Sequence, residues 1–261
     1  MKVNNKREAR DIMALAISVG QMLLENGAEI YRAEDTVQRI CESRDNLYDV
    51  DVFGLTSAIF VSLEYESETI NMFKTVGGSS INLEKIHILN DFSRRFVTEN
   101  MSTKRARVFL KSLNRKSPRS LFFRTIFAGV ASGFFSILFG ASPLDFIATY
   151  LIAMIVYFTI VKISKYQMTF FIENFIGAFL SSSLALISVT LGLGKSLDTI
   201  IIGVIMLLVP GVAITNAVRD IMSGDFLSGL IGLTKAVFAA LAIALGVGVV
   251  LNFRFKRGLL L

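Results

Sequence analysis

Residues 121–140 read LFFRTIFAGVASGFFSILFG, and stretches of this apolar kind follow one another as far as Leu251. The charged residues are concentrated elsewhere, because 34 of the 48 lie in residues 1–120. A bilayer core about 30 Å thick is crossed by roughly 20 apolar residues in a helix, and a charge at its centre is costly. The sequence therefore predicts an α-helical polytopic membrane protein with an N-terminal soluble α+β domain.

The predicted division places the soluble domain in residues 1–118 and a membrane domain of about five transmembrane helices in residues 119–261. We place the spans at Leu121–Gly140, Leu144–Ile163, Phe170–Leu191, Thr199–Val218 and Leu230–Leu251. The basic tail, Arg254, Lys256 and Arg257, favours the cytoplasm, which conflicts with an odd number of spans after a cytoplasmic N-terminus. The alternative is a fourth segment that enters the membrane and turns back.

Basic residues collect immediately before the first span. They are Lys104, Arg105, Arg107, Lys111, Arg115, Lys116 and Arg119. Such juxtamembrane clusters mark the cytoplasmic side and attract anionic lipid head groups. The N-terminus also has no signal-peptide pattern. We therefore expect a multi-pass protein of the cell (plasma) membrane, embedded in the lipid bilayer, whose N-terminal domain is cytoplasmic.

The soluble domain has the patterns of both helices and strands. Apolar spacings of three and four predict helices, and strict alternation predicts strands. The predicted helices are Asp11–Glu25, Glu29–Ser43, Asn82–Val97 and Thr103–Arg115, and the predicted strands are Ile59–Tyr65 and Thr69–Val76. Gly27 is predicted to end the first helix.

Several classes of function are disfavoured by composition and motifs. The first 120 residues carry 18 basic and 16 acidic side chains, a balance that does not favour nucleic-acid binding. His87 has no cysteine or second histidine nearby to complete a metal site, and Cys41 is alone. Gly77–Ser80 lacks the lysine of a phosphate-binding loop, and the spans contain no Ser–His or His–Glu arrangement. We predict no nucleic-acid partner, no metal, no cofactor and no enzymatic activity.

The predicted fourth span contains Pro210 and Gly211, directly after the apolar run Leu207–Val209. Proline removes a backbone donor and clashes with the preceding turn, so the helix should kink or break there. A broken helix exposes backbone groups and a half-helix N-terminus to a solute, as happens in transporters. The alternative is a plain proline kink, which membrane helices tolerate.

Polar residues follow this break within a few positions: Asn216, Arg219, Asp220, Gly224 and Asp225. Arg219 either pairs with Asp220 or Asp225, or grips an anionic group. In a poorly hydrated cavity, Asp220 or Asp225 would have a raised pKa and would act as a proton carrier. Alternatively, both aspartates are hydrated loop residues.

Glu173, near the start of the third predicted span, and Lys235, in the fifth, are isolated charges within the spans. Each side chain either snorkels to the interface or takes part in transport. Gly129, Gly133 and the run Ser181–Ser183 favour close helix packing, and the serines offer hydrogen bonds between helices.

The sequence resembles the threonine/serine exporter family over nearly its whole length. The strongest motif is Pro210-Gly211, Asn216, Arg219-Asp220, Gly224-Asp225 and Ser228-Gly229. A second motif, in the soluble domain, is Gly27-Ala28-Glu29, Arg32, Glu34 and Thr36, followed by Thr56-Ser57 at the start of a strand. Members of the family export small amino acids, chiefly threonine and serine, and some are implicated in exporting dicarboxylates such as succinate.

The resemblance implies a cytoplasmic head, a membrane domain and a small-molecule substrate. The chain resembles the short form of the family, which implies a second small membrane subunit as partner. Glu29 and Arg32 of the head motif are three positions apart on one predicted helix. They either form an ordinary ion pair or face the membrane domain and gate its cytoplasmic mouth.

The function predicted from these observations is a secondary transporter that exports small amino acids or dicarboxylates. Substrate would pass the break at Pro210 and Gly211, with coupling to protons through Asp220, Asp225 or Glu173. The alternative is a membrane-anchored sensor or scaffold whose soluble head binds a cytosolic ligand.

Overall fold

The computed structural model describes residues 2–77, 81–99, 101–115, 120–166 and 168–256. Two compact units divide the chain. The first comprises Met1–Ser117 and Ala213–Leu233, and the second comprises Pro118–Val212 and Thr234–Leu261. Residues 213–233, predicted as part of the membrane domain, thus group with the N-terminal residues. Residues 78–80, Lys116, Arg119 and Arg257, which entered the predictions above, lie outside the described residues.

The N-terminal part of the first unit combines helices with one small sheet. Its helices are Lys6–Glu25 (α1), Ile30–Glu42 (α2), Leu83–Thr98 (α3) and Thr103–Arg115 (α4). Its strands, Tyr48–Leu55 (β1), Ala58–Tyr65 (β2) and Glu68–Thr75 (β3), form an antiparallel sheet in the order β1-β2-β3. The predicted elements lie within a few residues of these bounds, except that α1 starts five residues earlier. β1 was not predicted as a separate strand, because its two aspartates are residues that strands disfavour.

The core of the first unit lies between α1 and the inner face of the sheet. Alternate residues of β2 are buried there: Ile59, Val61, Leu63 and Tyr65. Gly20 of α1 allows a close approach, since a Cβ at this position would lie 2.5 Å from Val37 Cγ2 of α2. This packing fixes the start of α2 beside the end of β1.

The remaining helices are mostly apolar and differ in length. They are Leu121–Leu138 (α5), Pro143–Ile163 (α6), Phe170–Thr190 (α7), Leu197–Ile205 (α8), Gly211–Met222 (α9) and Phe226–Lys256 (α10). Among the described residues, four helices are long and apolar enough to cross a membrane: Leu121–Leu138, Pro143–Tyr166, Phe170–Thr190 and Phe226–Lys256.

The segment predicted as the fourth span, Thr199–Val218, is not one continuous helix. α8 ends at Ile205 and α9 begins at Gly211, with Pro210 immediately before it. The turn between them is closed locally by a hydrogen bond from the Leu208 amide to the Ile205 carbonyl, at 2.7 Å. Neither short helix has the length of a span, so the break predicted at Pro210 is confirmed and the continuous fourth span is replaced by two pieces.

Small residues line the interior of the second unit. The buried residues of α5 are Thr125, Ala128, Gly129, Ser132, Gly133 and Ser136. A Cβ at Gly133 would lie 2.7 Å from the Phe146 ring of α6, so this glycine permits close helix packing, as predicted. Ser181 and Ser182 are also buried, but their hydroxyls donate to carbonyls one turn back in their own helix, at 2.7 and 2.9 Å. The hydrogen bonds between helices that the sequence suggested are therefore not formed, since each hydroxyl is satisfied locally.

Two glycines form the same kind of C-terminal cap at the ends of α1 and α9. Gly27 after α1 and Gly224 after α9 have φ of 86° and 97°, which glycine adopts without strain. At each, the next amide donates to the carbonyl five positions back, at 3.0 Å and 2.8 Å, as in a Schellman cap. An acidic residue follows each cap, Glu29 after Gly27 and Asp225 after Gly224.

Candidate functional site

Four carboxylates of the first unit come together around the start of α2. We call Glu29, Glu34, Asp220 and Asp225 the acidic cluster. Asp220 and Asp225 act electrostatically on Glu34 and on each other, and Arg219 forms an ion pair with Glu29. The cluster therefore unites residues of the two predicted motifs, although they lie far apart in the sequence.

Glu29 is the most strongly paired carboxylate of the cluster. It is the N-cap residue of α2 and is buried. Arg32 donates to it from the same helix, with Nε 2.5 Å from Oε2, and Arg219 of α9 reaches its other oxygen. The predicted Glu29–Arg32 ion pair is thus present. Of the two alternatives for Arg219, the ion pair that the structure shows is with the anionic group of Glu29 and not with Asp220 or Asp225.

Glu34 ties α2 to the end of β1. Its Oε1 accepts a hydrogen bond from the backbone amide of Gly54, at 2.6 Å. A Cβ at Gly54 would lie 3.0 Å from Ile30 Cγ2 and 3.3 Å from the same Glu34 oxygen. The absence of a side chain at this position therefore lets the carboxylate reach the strand.

Asp220 occupies the most enclosed position of the cluster. The residue is 4% exposed, and its carboxylate accepts the backbone N–H of Ile30 in the first turn of α2. Its Oδ1 is buried and has no hydrogen-bond partner among the described residues. A buried carboxylate oxygen left in this state costs free energy, since water has been removed and nothing replaces it.

The surroundings raise the pKa of three of these carboxyl groups. Burial is the largest cause at Glu34, at Asp220 and at Asp225. The nearby negative charge of Asp225 further raises the pKa of Glu34 and of Asp220, while the amides of Gly54 and Ile30 lower them. A site with these properties favours a proton or a cationic group over an anion.

Two hydrogen bonds fasten the hairpin of α9 and α10 to the N-terminal part of the same unit. Asn216 Nδ2 donates to the Gly27 carbonyl at 3.2 Å, and Ser228 Oγ donates to the Gly54 carbonyl at 3.4 Å. Within the hairpin, a Cβ at Gly229 would lie 2.4 Å from Ile221 Cγ1, so the two helices touch where glycine permits it. These contacts hold Asp220 and Asp225 against α2.

The chain matches the model of one protein family over most of its length. The model described as "Putative threonine/serine exporter" matches residues 14–254. The chain belongs to the threonine/serine exporter family. The resemblance noted from the motifs is thereby confirmed, and with it the assignment to a family of transporters of amino acids rather than of enzymes. No curated protein and no solved structure matches the chain.

Other predicted site residues of this exporter-family chain are not members of the acidic cluster. Pro210 and Gly211 belong to the second unit, at the break between α8 and α9. Glu173 is also in the second unit, in the first turn of α7, and accepts a hydrogen bond from Ser164 Oγ at 2.8 Å. Thr36 is a buried residue on the face of α2 that packs in the core.

One buried acidic residue of the chain was not predicted from the sequence. Asp145, 1% exposed in α6, forms a capping box with Ser142, and its Oδ1 accepts the backbone amides of Lys195 and Ser196 at 2.6 and 3.0 Å. The signal was present as Ser142 followed three residues later by an acidic residue, which is typical of a helix start. Its second pair of donors comes from a distant loop and had no sequence signal.

The acidic cluster is not arranged as a metal site. Across the residues that the structure describes, no group of three or more His, Cys, Asp or Glu side chains is placed to hold a metal ion. Glu29 instead pairs with two arginines, and Glu34 and Asp220 each accept a backbone amide.

Proposed function

We propose that this chain is a secondary transporter that exports small amino acids resembling threonine or serine, or dicarboxylates resembling succinate, across the plasma membrane. The observation that carries the proposal is the family match over residues 14–254. Four helices long and apolar enough to cross a membrane, within the part of the chain that is described, support it.

In this proposal the substrate passes the break between α8 and α9. Residues 206–210 separate the two helices, and the break leaves helix-terminal backbone groups without the partners that a continuous helix would give them. Such groups are suited to the polar ends of a small solute. Pro210 and Gly211 are the residues that we assign to this passage, and we assign Arg219, Asp220 and Asp225 to substrate binding or gating.

Coupling to protons is the second part of the proposal. Asp220 and Asp225 have raised pKa values because they are buried, so each holds its proton to a higher pH than an exposed aspartate does and is suited to proton transfer. Glu173, in the first turn of α7, is the remaining candidate for a proton carrier. A proton gradient would then supply the driving energy.

The orientation and a partner complete the proposal. The described part of the basic cluster lies on α4, where Arg107 pairs with Asp11 at 2.5 Å and Lys104, Arg105 and Lys111 are exposed, as contact with anionic lipid requires. We assign this side to the cytoplasm. We also propose a second small membrane subunit, as the resemblance implies, and co-purification from native membranes with mass spectrometry tests for it.

Flux in inverted membrane vesicles tests the proposed function. Vesicles containing the wild-type chain, with and without the proposed subunit, should accumulate labelled threonine, serine or succinate when a proton gradient is imposed. Pro210→Leu, Arg219→Gln and Asp225→Asn should each reduce the initial rate, whereas Asp35→Asn, at an exposed ion pair on α2, should not. Undiminished flux in all three folded variants contradicts the proposal.

A sensor or scaffold is the second candidate function. It is favoured by the position of the acidic cluster, all of whose members belong to the unit that contains the N-terminal residues. Binding of an amino acid to the purified full-length chain, without flux in vesicles that hold both the chain and the subunit, would support this candidate over an exporter.

A further inference from the structure

A cleft of about 510 Å³ lies between α1, β3 and α4. Its lining residues belong to the first unit, and no member of the acidic cluster is among those described there. The volume is typical of a site for a small molecule, for which about 300 to 1,000 Å³ is usual. Three cations line this cleft: Lys74 of β3, and Arg107 and Lys111 of α4. We call it the basic cleft.

Lys74 is held in the basic cleft by a hydroxyl group rather than by a carboxylate. Its Nζ donates to Ser18 Oγ of α1 at 2.8 Å, and that hydroxyl donates in turn to the Ala14 carbonyl at 2.5 Å. The residue is half-buried, yet it forms no ion pair with any residue that the structure describes. Because an ammonium group has three N–H donors, two of them remain for a ligand.

Arg107 and Lys111 are four positions apart on α4, so they lie on the same face of that helix. Arg107 is partly engaged, because its Nη2 pairs with the Asp11 carboxylate and also donates to the Asp11 carbonyl at 3.3 Å. Lys111 is exposed and, in the described part of the chain, has no ion-pair partner. The two lysines of the cleft therefore each keep a positive charge that no ion pair offsets.

One carboxylate, that of Glu25, also lines the basic cleft. Its Oε1 accepts hydrogen bonds from Gln21 Nε2 at 3.1 Å and from the Gly77 amide at 3.5 Å. Glu25 follows Ser18 by seven residues on α1, which corresponds to about 10 Å along the helix axis. Salt screens charges over about 8 Å at physiological ionic strength. The negative charge of Glu25 therefore acts only weakly on an anion beside Lys74.

We infer that the basic cleft binds a phosphate monoester, with Lys74 and Lys111 as its charged partners and Arg107 as a third donor. A phosphate monoester has a charge of about −1.5 to −2 at pH 7 and three oxygens that are strong hydrogen-bond acceptors. The two lysine charges match this charge, and lysine commonly binds phosphate as a point charge. Leu15 and Met22 of α1 also line the cleft and suit the organic part of such a ligand. The inference does not depend on the proposed export function.

The phosphate monoester group has two sources, soluble compounds such as glycerol 3-phosphate and the headgroup of phosphatidic acid. In both, one group carries the whole charge and can contact several cations at once. A dicarboxylate such as succinate divides its charge between two ends. We therefore expect succinate to bind the cleft more weakly than glycerol 3-phosphate.

Calorimetric titration of the full-length chain in detergent with glycerol 3-phosphate tests the inference. Lys74→Met keeps the apolar part of the side chain and removes its charge, so binding should weaken by about tenfold. Lys111→Met should weaken binding by about threefold, since Lys111 is exposed. The matched control is Lys104→Met, which removes the same charge from an exposed position of α4 outside the lining of the cleft. This control should bind as the wild type does.

Glu25→Gln should have an effect of the opposite sign. Glutamine keeps an oxygen that can accept from the Gly77 amide but removes the negative charge. Glycerol 3-phosphate should then bind about two- to threefold more tightly. A variant that merely damaged the fold would not gain affinity, so this measurement separates an electrostatic effect from a structural one.

Nanodiscs distinguish the two sources of the ligand. The chain is placed in phosphatidylcholine nanodiscs with or without phosphatidic acid and is titrated with glycerol 3-phosphate. Weaker binding in the presence of phosphatidic acid, together with loss of that competition in Lys74→Met, assigns the cleft to the lipid headgroup. Equal binding in both nanodiscs assigns it to a soluble phosphate. Either result supports a site for a phosphate monoester.

Four results would overturn the inference. They are no binding of glycerol 3-phosphate to the wild type, unchanged binding in a folded Lys74→Met, equal weakening by Lys104→Met, and succinate binding as tightly as glycerol 3-phosphate. If Lys74→Met does not fold, Lys111→Met and Glu25→Gln decide. Flux in inverted vesicles is measured separately, so failure of this inference leaves the proposed function standing, and the reverse also holds.

Discussion

Asp145 in the second unit and Asp220 in the first are both almost wholly buried, yet their surroundings differ. The carboxylate of Asp145 accepts four hydrogen bonds, from the amide and hydroxyl of Ser142 and from the amides of Lys195 and Ser196, at 2.6 to 3.0 Å. The carboxylate of Asp220 accepts one amide and keeps Oδ1 without a partner within the described chain.

This difference separates a carboxylate whose burial is offset by several donors from one whose burial is offset by a single amide. At Asp145, the burial cost of the charge is offset by donors, so the residue joins the start of α6 to the start of α8. At Asp220, the neighbouring charges are Glu34, Asp225 and Arg219, and only one of the three is favourable. Burial alone therefore does not distinguish these two aspartates. The number of hydrogen-bond donors around each carboxylate does.

Removal of the Asp145 carboxylate should give the largest loss of stability. Asp145→Ala removes four hydrogen bonds to a buried, charged acceptor and is expected to cost about 3 to 5 kcal/mol. Thermal unfolding of the detergent-solubilised chain measures it. Asp198→Ala, at an exposed position in the first turn of α8, is the control and should cost less than about 0.5 kcal/mol. Equal losses in the two variants would show that the hydrogen bonds to Asp145 do not stabilise the fold.

The hairpin that carries Asp220 should be sensitive to a single methyl group. Gly229→Ala would place a Cβ 2.4 Å from Ile221 Cγ1 and 2.7 Å from the Ala217 carbonyl, so the helices must move apart. We expect a loss of about 1 to 3 kcal/mol in the same unfolding assay. Gly248→Ala in the same helix meets open space and should be neutral or stabilising. A tolerated Gly229→Ala would mean that the hairpin does not fix the position of Asp220.

The ion pair between Arg219 and Glu29 should contribute less than the contacts of Asp145. Arg219→Gln leaves buried Glu29 with Arg32 as its arginine partner, and since Arg219 is half-exposed we expect a loss of about 1 kcal/mol. Arg39→Gln removes a pair in which both side chains are exposed, so its loss should be about 0.5 kcal/mol or less. Comparable losses in these two variants would show that burial of Glu29 adds nothing to the pair.

Asp220 should also affect how stability depends on pH. Its pKa is raised in the folded chain by burial and by Asp225, so its protonated form is the one that folding favours. That contribution is complete below the unfolded pKa and is lost as the pH rises through the folded pKa. The melting temperature of Asp220→Asn minus that of the wild type should therefore increase from about pH 4 to about pH 8. A constant difference would indicate that Asp220 does not titrate against its neighbours.

Local chemistry made part of this structure predictable. The break at Pro210 follows from the missing backbone donor, and the strand β2 follows from the alternation of Ile59 to Tyr65. Close packing at Gly133 follows from the small residues of α5. Each of these depends on residues within a few positions of one another.

The partners of the charged residues were not predictable in the same way. Arg219 lies beside Asp220 in sequence but pairs with Glu29, because the pairing depends on how α9 packs against the start of α2. The amides that Asp145 accepts from Lys195 and Ser196 likewise come from a distant loop. The two motifs predicted that these residues are functionally important. That residues of both motifs lie close together in one unit could be seen only from the folded structure.

The length of α10 has a consequence for the lipid around this protein. Lys235 and Arg254 lie 19 positions apart on one uninterrupted helix, which corresponds to about 28 Å along the helix axis. That distance matches the hydrocarbon thickness of an ordinary bilayer, about 30 Å, so each cation reaches a polar interface without tilting the helix. The fit of this helix to the bilayer therefore depends on the acyl chain length of the lipids. Shorter or longer lipids would force the helix to tilt or the bilayer to deform around this pair of cations.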